Sequence, residues 1–287
     1  MSVLIPTSLA EAVAALADHP SSMVLAGGTD AMVEINGGHR RPEVVISVGR
    51  VPELRSWSYD VASPGTGTST LRVGAGVTYA ELEGEHFRTW VPALSQAART
   101  VGSPQIRHVA TLGGNVATCS PAGDGLPVLA ALDATVHLVS NTTTRSVPFA
   151  EFMIGPKRTA LLPGELIEAI SLPVFSGWQG YAKVGVRNAM VISNAGACLV
   201  VDDNGGIRLA LGSVGPTIIR CHEAETYAAN AIDHAGRAVT DAQADEFASL
   251  AAAAARPIDD HRSTAEYRRH AIAVLSRRLL RRAFPNG

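Results

Sequence analysis

Two glycine pairs constrain the fold of this chain more than any other feature. The first lies in residues 26–30 (AGGTD), directly after the short apolar run 23–25 and before a second apolar segment that ends near Gly37. This order predicts a strand, a glycine turn and a helix in succession. Paired glycines let backbone N–H groups converge without obstruction by Cβ atoms, which suits a diphosphate. The same pattern equally fits a tight strand-to-helix turn that binds nothing.

A second glycine pair lies in residues 111–115 (TLGGN) and is followed by residues 120–124 (SPAGD). We interpret it as a second amide-rich turn that grips the same extended phosphate ligand. Asp124 would repel phosphate, so it better suits a sugar hydroxyl or a hydrogen bond that braces the loop. A dinucleotide fits this set of groups. The sequence has no GxGxxG with an acidic residue some 20 positions later and no GxxxxGK[ST], which argues against a Rossmann site and a P-loop.

Composition narrows the class of protein. The chain has 287 residues, of which 46% are hydrophobic and 17% charged, and its formal net charge is −2. It is therefore long enough for about two domains and has no global charge that favours nucleic acid. No apolar run approaches ~18 residues, which predicts no membrane span, and no signal peptide is recognisable. The three cysteines form no CxxC pair, which predicts a cytoplasmic chain without a disulfide framework or a metal site of its own.

Local patterns predict an alternation of helices and strands. Capping boxes at residues 8–11 and 78–81 predict helix starts, and residues 60–70 predict a turn or hairpin. After Pro173 the chain reads as antiparallel strands joined by the turn Asp203–Gly206 and then as helices. The predicted strands are 23–25, 44–46, 71–77, 135–139, 166–172, 181–184, 195–201 and 207–211, and the clearest predicted helices are 8–18, 90–101 and 264–283.

An ordered set of motifs resembles the FAD-binding medium subunit of molybdenum hydroxylases, the family that includes the medium chain of carbon monoxide dehydrogenase and the FAD subunit of xanthine dehydrogenase. The resemblance covers essentially the whole chain. The motifs that carry it are 26–30, 42–46 with 53–54, 74–78, 111–124, 155–161, 181–183 with Arg187, 212–217 and 265–270.

The resemblance implies an α+β fold. It comprises a PCMH-type, vanillyl-alcohol-oxidase-like FAD-binding domain in two α/β sub-domains, followed by a C-terminal domain of the carbon monoxide dehydrogenase flavoprotein type. The implied ranges are 1–56, 57–176 and 177–287, and the third range is expected to hold a three-stranded antiparallel sheet and helices.

The resemblance also implies partners. A small [2Fe–2S] subunit and a large molybdopterin subunit would join this chain in a dimer of heterotrimers. Substrate would be oxidised on the large subunit, and this chain would relay electrons from the clusters through FAD to an external acceptor, with no catalytic residue or metal of its own. Two alternatives stay open: a self-sufficient FAD-dependent oxidoreductase of the same fold, and a non-catalytic nucleotide-binding protein.

Site residues follow from the resemblance position by position. Residues 26–30 and 111–115 would hold the diphosphate, and Lys183 would place a cation near the flavin ring. FAD is expected to be non-covalent, because no histidine lies in residues 26–30 and Cys119 is the only cysteine nearby. The full predicted cofactor set is Leu25, Ala26, Gly27, Gly28, Thr29, Asp30, Gly76, Val77, Thr78, Thr111, Leu112, Gly113, Gly114, Asn115, Thr118, Ser120, Asp124, Leu172, Tyr181 and Lys183.

Overall fold

A computed structural model describes residues 1–62 and 67–286 of the chain. The tip of the hairpin predicted at residues 60–70 therefore lies outside the described residues. The elements up to residue 82 are β1 (Ser2–Leu4), α1 (Leu9–Asp18), β2 (Met23–Leu25), α2 (Ala31–Asn36), β3 (Val44–Ser47), β4 (Trp57–Asp60), β5 (Ser69–Gly74) and α3 (Tyr79–Leu82).

The middle of the chain alternates short helices and strands. Its elements are α4 (Glu85–Trp90), α5 (Pro92–Ala98), α6 (Pro104–Val109), α7 (Leu112–Thr118), α8 (Leu126–Ala131), β6 (Thr135–Val139), β7 (Thr144–Pro148), α9 (Phe149–Phe152), β8 (Met153–Gly155), β9 (Arg158–Thr159) and β10 (Leu166–Val174). The last part holds β11 (Trp178–Val184), β12 (Ala195–Val201), β13 (Ile207–Gly212), β14 (Ile219–Arg220), α10 (His222–Ala231), α11 (Asp241–Ala254) and α12 (Ala265–Ala283).

Capping side chains begin several of these helices. At α3 the Thr78 hydroxyl accepts from the Glu81 amide (3.2 Å), and the Glu81 carboxylate accepts from the Thr78 amide (2.8 Å), so the predicted capping box is complete. At α1 the Ser8 hydroxyl accepts from the Glu11 amide at 3.2 Å, and the closest backbone donor to the Glu11 carboxylate is the Thr7 amide at 2.7 Å.

Three principal sheets confirm the predicted α+β class. Strands β1, β3 and β2 form a parallel sheet in that order, and β4-β5-β10-β6-β7 form a five-stranded sheet. The C-terminal sheet is antiparallel in the order β11-β12-β13-β14. The sequence predicted its first three strands; β14, with two residues, is too short to leave a periodic signal.

Tertiary contacts divide the chain into two compact units. The N-terminal unit contains residues 1–82, 103–119 and 134–173, and the C-terminal unit contains 83–102, 120–133 and 174–287. Residues 83–102 and 120–133 fall in the C-terminal unit because α5 packs against β11 and α8 packs against β12 and β13. The ranges expected from the sequence, which are two FAD-binding sub-domains at 1–56 and 57–176 and a C-terminal domain at 177–287, remain a prediction.

The C-terminal unit buries one face of its sheet beneath α10, α11 and α12. Leu199, Leu209, Phe247 and Ile272 are fully buried in this core. Because side chains alternate along a strand, Trp178, Ala182 and Val184 of β11 contact the core, and the remaining side chains of β11 point to the opposite face. Alternation thereby places Gln179, Tyr181 and Lys183 on one face, which is the face that positions the polar cluster described below.

Candidate functional site

The first glycine loop of the N-terminal unit connects β2 to α2. A Cβ atom at Gly27 would lie 1.8 Å from the Val109 carbonyl oxygen, so no larger residue fits there without moving the backbone. Gly28 has φ +73°, a left-handed conformation that glycine adopts without strain. Both glycines are therefore required by the backbone itself, one by a close approach and the other by its conformation.

The same loop presents unused hydrogen-bond donors. The amides of Gly27, Gly28, Thr29 and Asp30 donate to no acceptor in the described ranges 1–62 and 67–286. Gly27, Gly28 and Thr29 are half-buried. Consecutive N–H groups without internal acceptors form a concave donor surface that suits phosphate oxygens. A ligand with a diphosphate fits this loop.

The second glycine pair is not a turn, contrary to the sequence interpretation. Thr111 is the N-cap of α7, and its hydroxyl accepts from the Gly114 amide at 3.0 Å. The Leu112 amide donates to Val77 (2.9 Å), and the Gly113 amide donates to Ala75 (2.8 Å). The Asn115 amide donates to the Thr111 carbonyl oxygen. Since all four amides have acceptors within the protein, this segment does not offer the second amide cradle that the sequence suggested.

The structure nevertheless brings most of the predicted cofactor residues of the N-terminal unit together. Gly27 lies against Val109, two residues before Thr111, and the Thr118 hydroxyl lies 3.5 Å from a carboxylate oxygen of Asp30. Thr78 forms an isolated antiparallel bridge with Thr111. Gly76 and Val77 continue the same segment, and Leu172 is fully buried on β10. The two glycine segments thus adjoin, although only the first one has free amides.

An ion pair beside the first loop escaped the sequence analysis. The Lys157 ammonium donates to the Glu34 carboxylate, and this contact raises the pKa of Lys157 and lowers that of Glu34. Asp30 adds a further carboxylate near the same ammonium. Residues 34 and 157 are separated by 123 positions, and no local pattern predicts their contact.

The remaining predicted residues belong to the C-terminal unit, where two of them form a buried ion pair. The Lys183 ammonium lies 2.6 Å from the Asp124 carboxylate, and the two side chains are only 9% and 8% exposed. The same ammonium donates to the carbonyl oxygens of Thr100 (2.9 Å) and Val191 (3.1 Å). Its three hydrogen atoms are therefore all directed at protein oxygens.

Tyr181 and helix α5 complete this cluster. The Tyr181 hydroxyl donates to Asp124 at 2.9 Å, and the Tyr181 amide donates to Gln96 of α5 at 2.9 Å. Burial raises the pKa of Asp124, while the neighbouring Lys183 acts in the opposite direction. The fourth predicted residue, Ser120, accepts from the Ala122 amide at 3.3 Å. Sequence reasoning missed Gln96 and Thr100, because nothing in the α5 segment distinguishes them from ordinary polar helix residues.

Cys119, the cysteine next to the second glycine segment, is surrounded by backbone carbonyl oxygens. Cys119 is buried, its thiol donates to the carbonyl oxygens of Gly155 (3.5 Å) and Arg158 (3.4 Å), and burial raises its pKa. Among the described residues, no three His, Cys, Asp or Glu side chains gather as metal ligands. No helix in the same residues is long and apolar enough to cross a membrane.

Known proteins match the chain along its whole length. The family described as the FAD binding domain in molybdopterin dehydrogenase matches residues 1–175, and the carbon monoxide dehydrogenase flavoprotein C-terminal domain matches residues 181–283. The chain belongs to this family. It is accordingly an FAD-binding flavoprotein of the oxidoreductase class, and the resemblance stated from the motifs is confirmed.

Relatives in the family match this chain over nearly the full length of both proteins. The chain is 31% identical over 288 residues to the putative xanthine dehydrogenase FAD-binding subunit of Escherichia coli, covering 96% of this chain and 93% of that protein. It is 31% identical to the glyceraldehyde dehydrogenase medium chain of Sulfolobus acidocaldarius, covering 94% and 93%. Carbon monoxide dehydrogenase from Hydrogenophaga pseudoflava, in a form that lacks the Mo-pyranopterin moiety of its cofactor, matches with a TM-score of 0.87 and 28% identity, covering 99% and 97%.

Proposed function

We propose that this chain is the FAD-binding electron-transfer subunit of a molybdenum hydroxylase complex. In this function it takes electrons from [2Fe–2S] clusters of a small partner and passes them to an external acceptor, while substrate is oxidised on a large molybdopterin partner. The length-wide similarity to FAD subunits and medium chains supports this assignment. Within the chain itself, the observation that carries it is the loop with four unused amides at residues 27–30.

The residues present fit the diphosphate part of FAD in particular. The amides of residues 27–30 would hold the diphosphate, since Gly27 allows the loop to reach Val109 and Gly28 supplies the turn. The Lys157–Glu34 ion pair holds the Lys157 ammonium close to that loop, where its hydrogen bond goes to the Glu34 carboxylate. Bound FAD would let the chain exchange single electrons with a cluster and two electrons with an acceptor. The buried thiol of Cys119 supports non-covalent binding.

The predicted contacts of Asp124, Tyr181 and Lys183 with the cofactor stay part of this proposal in a modified form. Because the Lys183 ammonium hydrogens already have protein acceptors, we expect Lys183 to act through its charge rather than by donating a hydrogen bond. The ion pair with Asp124 positions the Lys183 ammonium, and the hydrogen bond from the Tyr181 hydroxyl positions the Asp124 carboxylate.

The first experiment changes the loop by one methyl group. In Gly27→Ala the new Cβ would lie 1.8 Å from the Val109 oxygen, so the loop must move and its amides must diverge. Gly49→Ala is the matched control, because a Cβ there meets no atom within 4 Å. We expect visible flavin absorption and equilibrium dialysis to show at least tenfold weaker FAD binding for Gly27→Ala and unchanged binding for Gly49→Ala. Equal FAD binding by the two variants would show that the loop is not part of the FAD site.

The second experiment separates the electron-transfer subunit from a self-sufficient oxidoreductase of the same fold. The isolated flavin-loaded chain and the complex purified with its small and large partners are mixed anaerobically with the substrate of the complex. We expect flavin bleaching only in the complex. Bleaching of the isolated chain by an organic substrate would favour the self-sufficient enzyme, and a chain that binds no FAD at all would refute both functions.

A further inference from the structure

Exposed apolar side chains gather on three segments of the C-terminal unit. The segments are the loop between β11 and β12, the loop that precedes α12, and the first turn of α12. Single exposed apolar residues are ordinary on protein surfaces, whereas a group of them marks a contact surface. Together they form what we call the apolar patch, which consists of Val186 (67% exposed), Met190 (55%), Ile192 (55%), Ile258 (71%) and Tyr267 (45%).

Hydrogen bonds around one buried arginine hold these segments side by side. Arg268, which is 3% exposed, donates to the Asn194 carbonyl oxygen at 3.0 Å and to the Asp260 carboxylate at 2.7 Å. It also donates to Ser213 at 2.8 Å, and the Asn194 amide nitrogen reaches the Arg262 carbonyl oxygen at 3.5 Å. Asn194 follows Ile192 by two residues, Asp260 follows Ile258 by two, and Arg268 follows Tyr267. The apolar patch is therefore one fixed surface rather than three independent loops.

The charges around the apolar patch are predominantly positive. Arg187 donates to the Ala189 carbonyl oxygen at 3.1 Å, and Arg256 donates to that of Ala255 at 3.0 Å. Neither of them, nor Arg262, forms an ion pair with any residue in the described part of the chain. Of the carboxylates on these segments, Asp260 pairs with Arg268. Asp259, which accepts from the Ala265 amide, and the exposed Glu266 form no ion pair in the described part of the chain. With Arg269, which is also exposed and forms no ion pair among the described residues, the rim carries four guanidinium groups against these two carboxylates and thus an excess of positive charge.

This charge pattern selects the kind of partner. Two copies of the chain meeting at this surface would bring like-charged rims together, which is unfavourable. A different protein with an apolar centre and a carboxylate rim would satisfy both features. At the stated exposures the apolar patch presents on the order of 400 Å² of apolar surface, the size of the largest patch on a typical monomer. That is about half of the ~800 Å² per partner of a standard interface, as expected for its centre.

We propose that the apolar patch docks a partner subunit whose contact surface is apolar in the middle and acidic at its edge. This proposal rests on the proposed function only in taking that partner from the molybdenum hydroxylase complex. The fixed backbone of the apolar patch favours such docking, because little conformational entropy of this chain is lost when the surfaces meet.

The test replaces two exposed apolar residues by carboxylates. The double variant Met190→Asp/Ile258→Asp is produced together with the small and large subunits, and the assembled fraction is measured by size-exclusion chromatography with light scattering. Met190 has φ 51°, a conformation that aspartate tolerates. The matched control is Val61→Asp/Leu162→Asp, which places the same charges at residues 73% and 59% exposed in the N-terminal unit. A second variant, Arg187→Glu/Arg262→Glu, tests the rim.

We expect at least tenfold weaker assembly for the patch variant, several-fold weaker assembly for the rim variant, and normal assembly for the control, with equal melting temperatures and FAD content in all three. Normal assembly of the patch variant would overturn the proposal. So would a wild-type chain that dimerises alone and becomes monomeric with the same two substitutions, because the occupant would then be a second copy. A chain that lacks FAD would instead count against the proposed function, whatever its assembly.

Discussion

The buried Lys183–Asp124 pair should control the stability of the C-terminal unit. The change we consider is Lys183→Met, which keeps the length of the side chain and removes its charge. Three contacts of the ammonium are lost, namely those to Asp124 (2.6 Å), Thr100 (2.9 Å) and Val191 (3.1 Å). Asp124 remains 8% exposed and keeps the Tyr181 hydroxyl at 2.9 Å as its closest donor.

The expected magnitude follows from burial. Removing one partner of a buried ion pair costs about 3–5 kcal/mol, because the other charge stays buried without compensation. Neither side chain is exposed enough for solvent to screen the pair. Adding Asp124→Asn to Lys183→Met removes the stranded carboxylate and should recover roughly 2 kcal/mol, as a coupling energy of this size is typical for groups in one network.

The loss should also depend on pH. Burial raises the pKa of Asp124 above its usual 3.8 in the folded chain, so its contribution to stability is present below that value and is lost as pH rises through the folded pKa. Lys183 opposes this shift; without it the folded pKa rises further and the unfavourable window extends to higher pH. The free energy of unfolding of Lys183→Met should therefore fall further below wild type at pH 8 than at pH 5.

The assay is urea unfolding of the FAD-free protein at both pH values, followed by circular dichroism and tryptophan fluorescence. FAD is removed because a ligand that binds only the folded state adds to the apparent stability. Coincidence of the two signals shows whether a single transition is measured. A loss below about 1 kcal/mol at pH 8, or a loss that is the same at pH 5, would refute the interpretation of this pair as buried and mutually dependent.

Two further predictions concern packing and thiol reactivity. A Cβ at Gly113 would lie 2.4 Å from the Ala75 Cβ, so Gly113→Ala should lower the free energy of unfolding by about 1–3 kcal/mol through overpacking. Gly155→Ala, where a Cβ meets no atom within 4 Å, should change it little, and equal effects would contradict the close approach. All three cysteines are buried, and burial raises the pKa of Cys221 to about 12, so an aromatic disulfide reagent at pH 8 should label none of them quickly in the folded chain and all three after denaturation. Rapid labelling of a folded-state thiol would show that its surroundings open.

The sequence correctly predicted those features of the structure that depend on residues close together in the chain. The capping box at Thr78 and Glu81 forms as expected, because both of its hydrogen bonds join residues three positions apart. Strands β2 and β3 lie where short apolar runs indicated them. The family resemblance, carried by ordered motifs rather than by any single one, supplied the fold class.

The second glycine pair shows where such signals fail. Two glycines disfavour a helix by about 1 kcal/mol each relative to alanine, so the pattern in residues 111–115 reads as a turn. In the structure, Thr111 caps α7, and the amides of Leu112 and Gly113 bond to Val77 and Ala75, more than thirty residues earlier in the chain. Gly113 is present because Ala75 approaches closely, not because the chain turns. Tertiary contacts of this kind leave no trace in a local window.

The two glycine pairs differ in what they can contribute to diphosphate binding. The two identical dipeptides have different roles. Gly27 and Gly28 form a loop whose amides stay unused, whereas Gly113 lets α7 pack closely against Ala75 and the amides of Gly113 and Gly114 both have acceptors within the protein. A phosphate competes well only for donors that have no internal acceptor, since displacing an existing hydrogen bond offsets the gain. We therefore propose that residues 27–30 alone hold the diphosphate, and that the loop is supported where Gly27 lies against Val109, the last residue of α6. If this division is correct, Gly27→Ala weakens FAD binding directly, while Gly113→Ala does so only to the extent that it destabilises the fold.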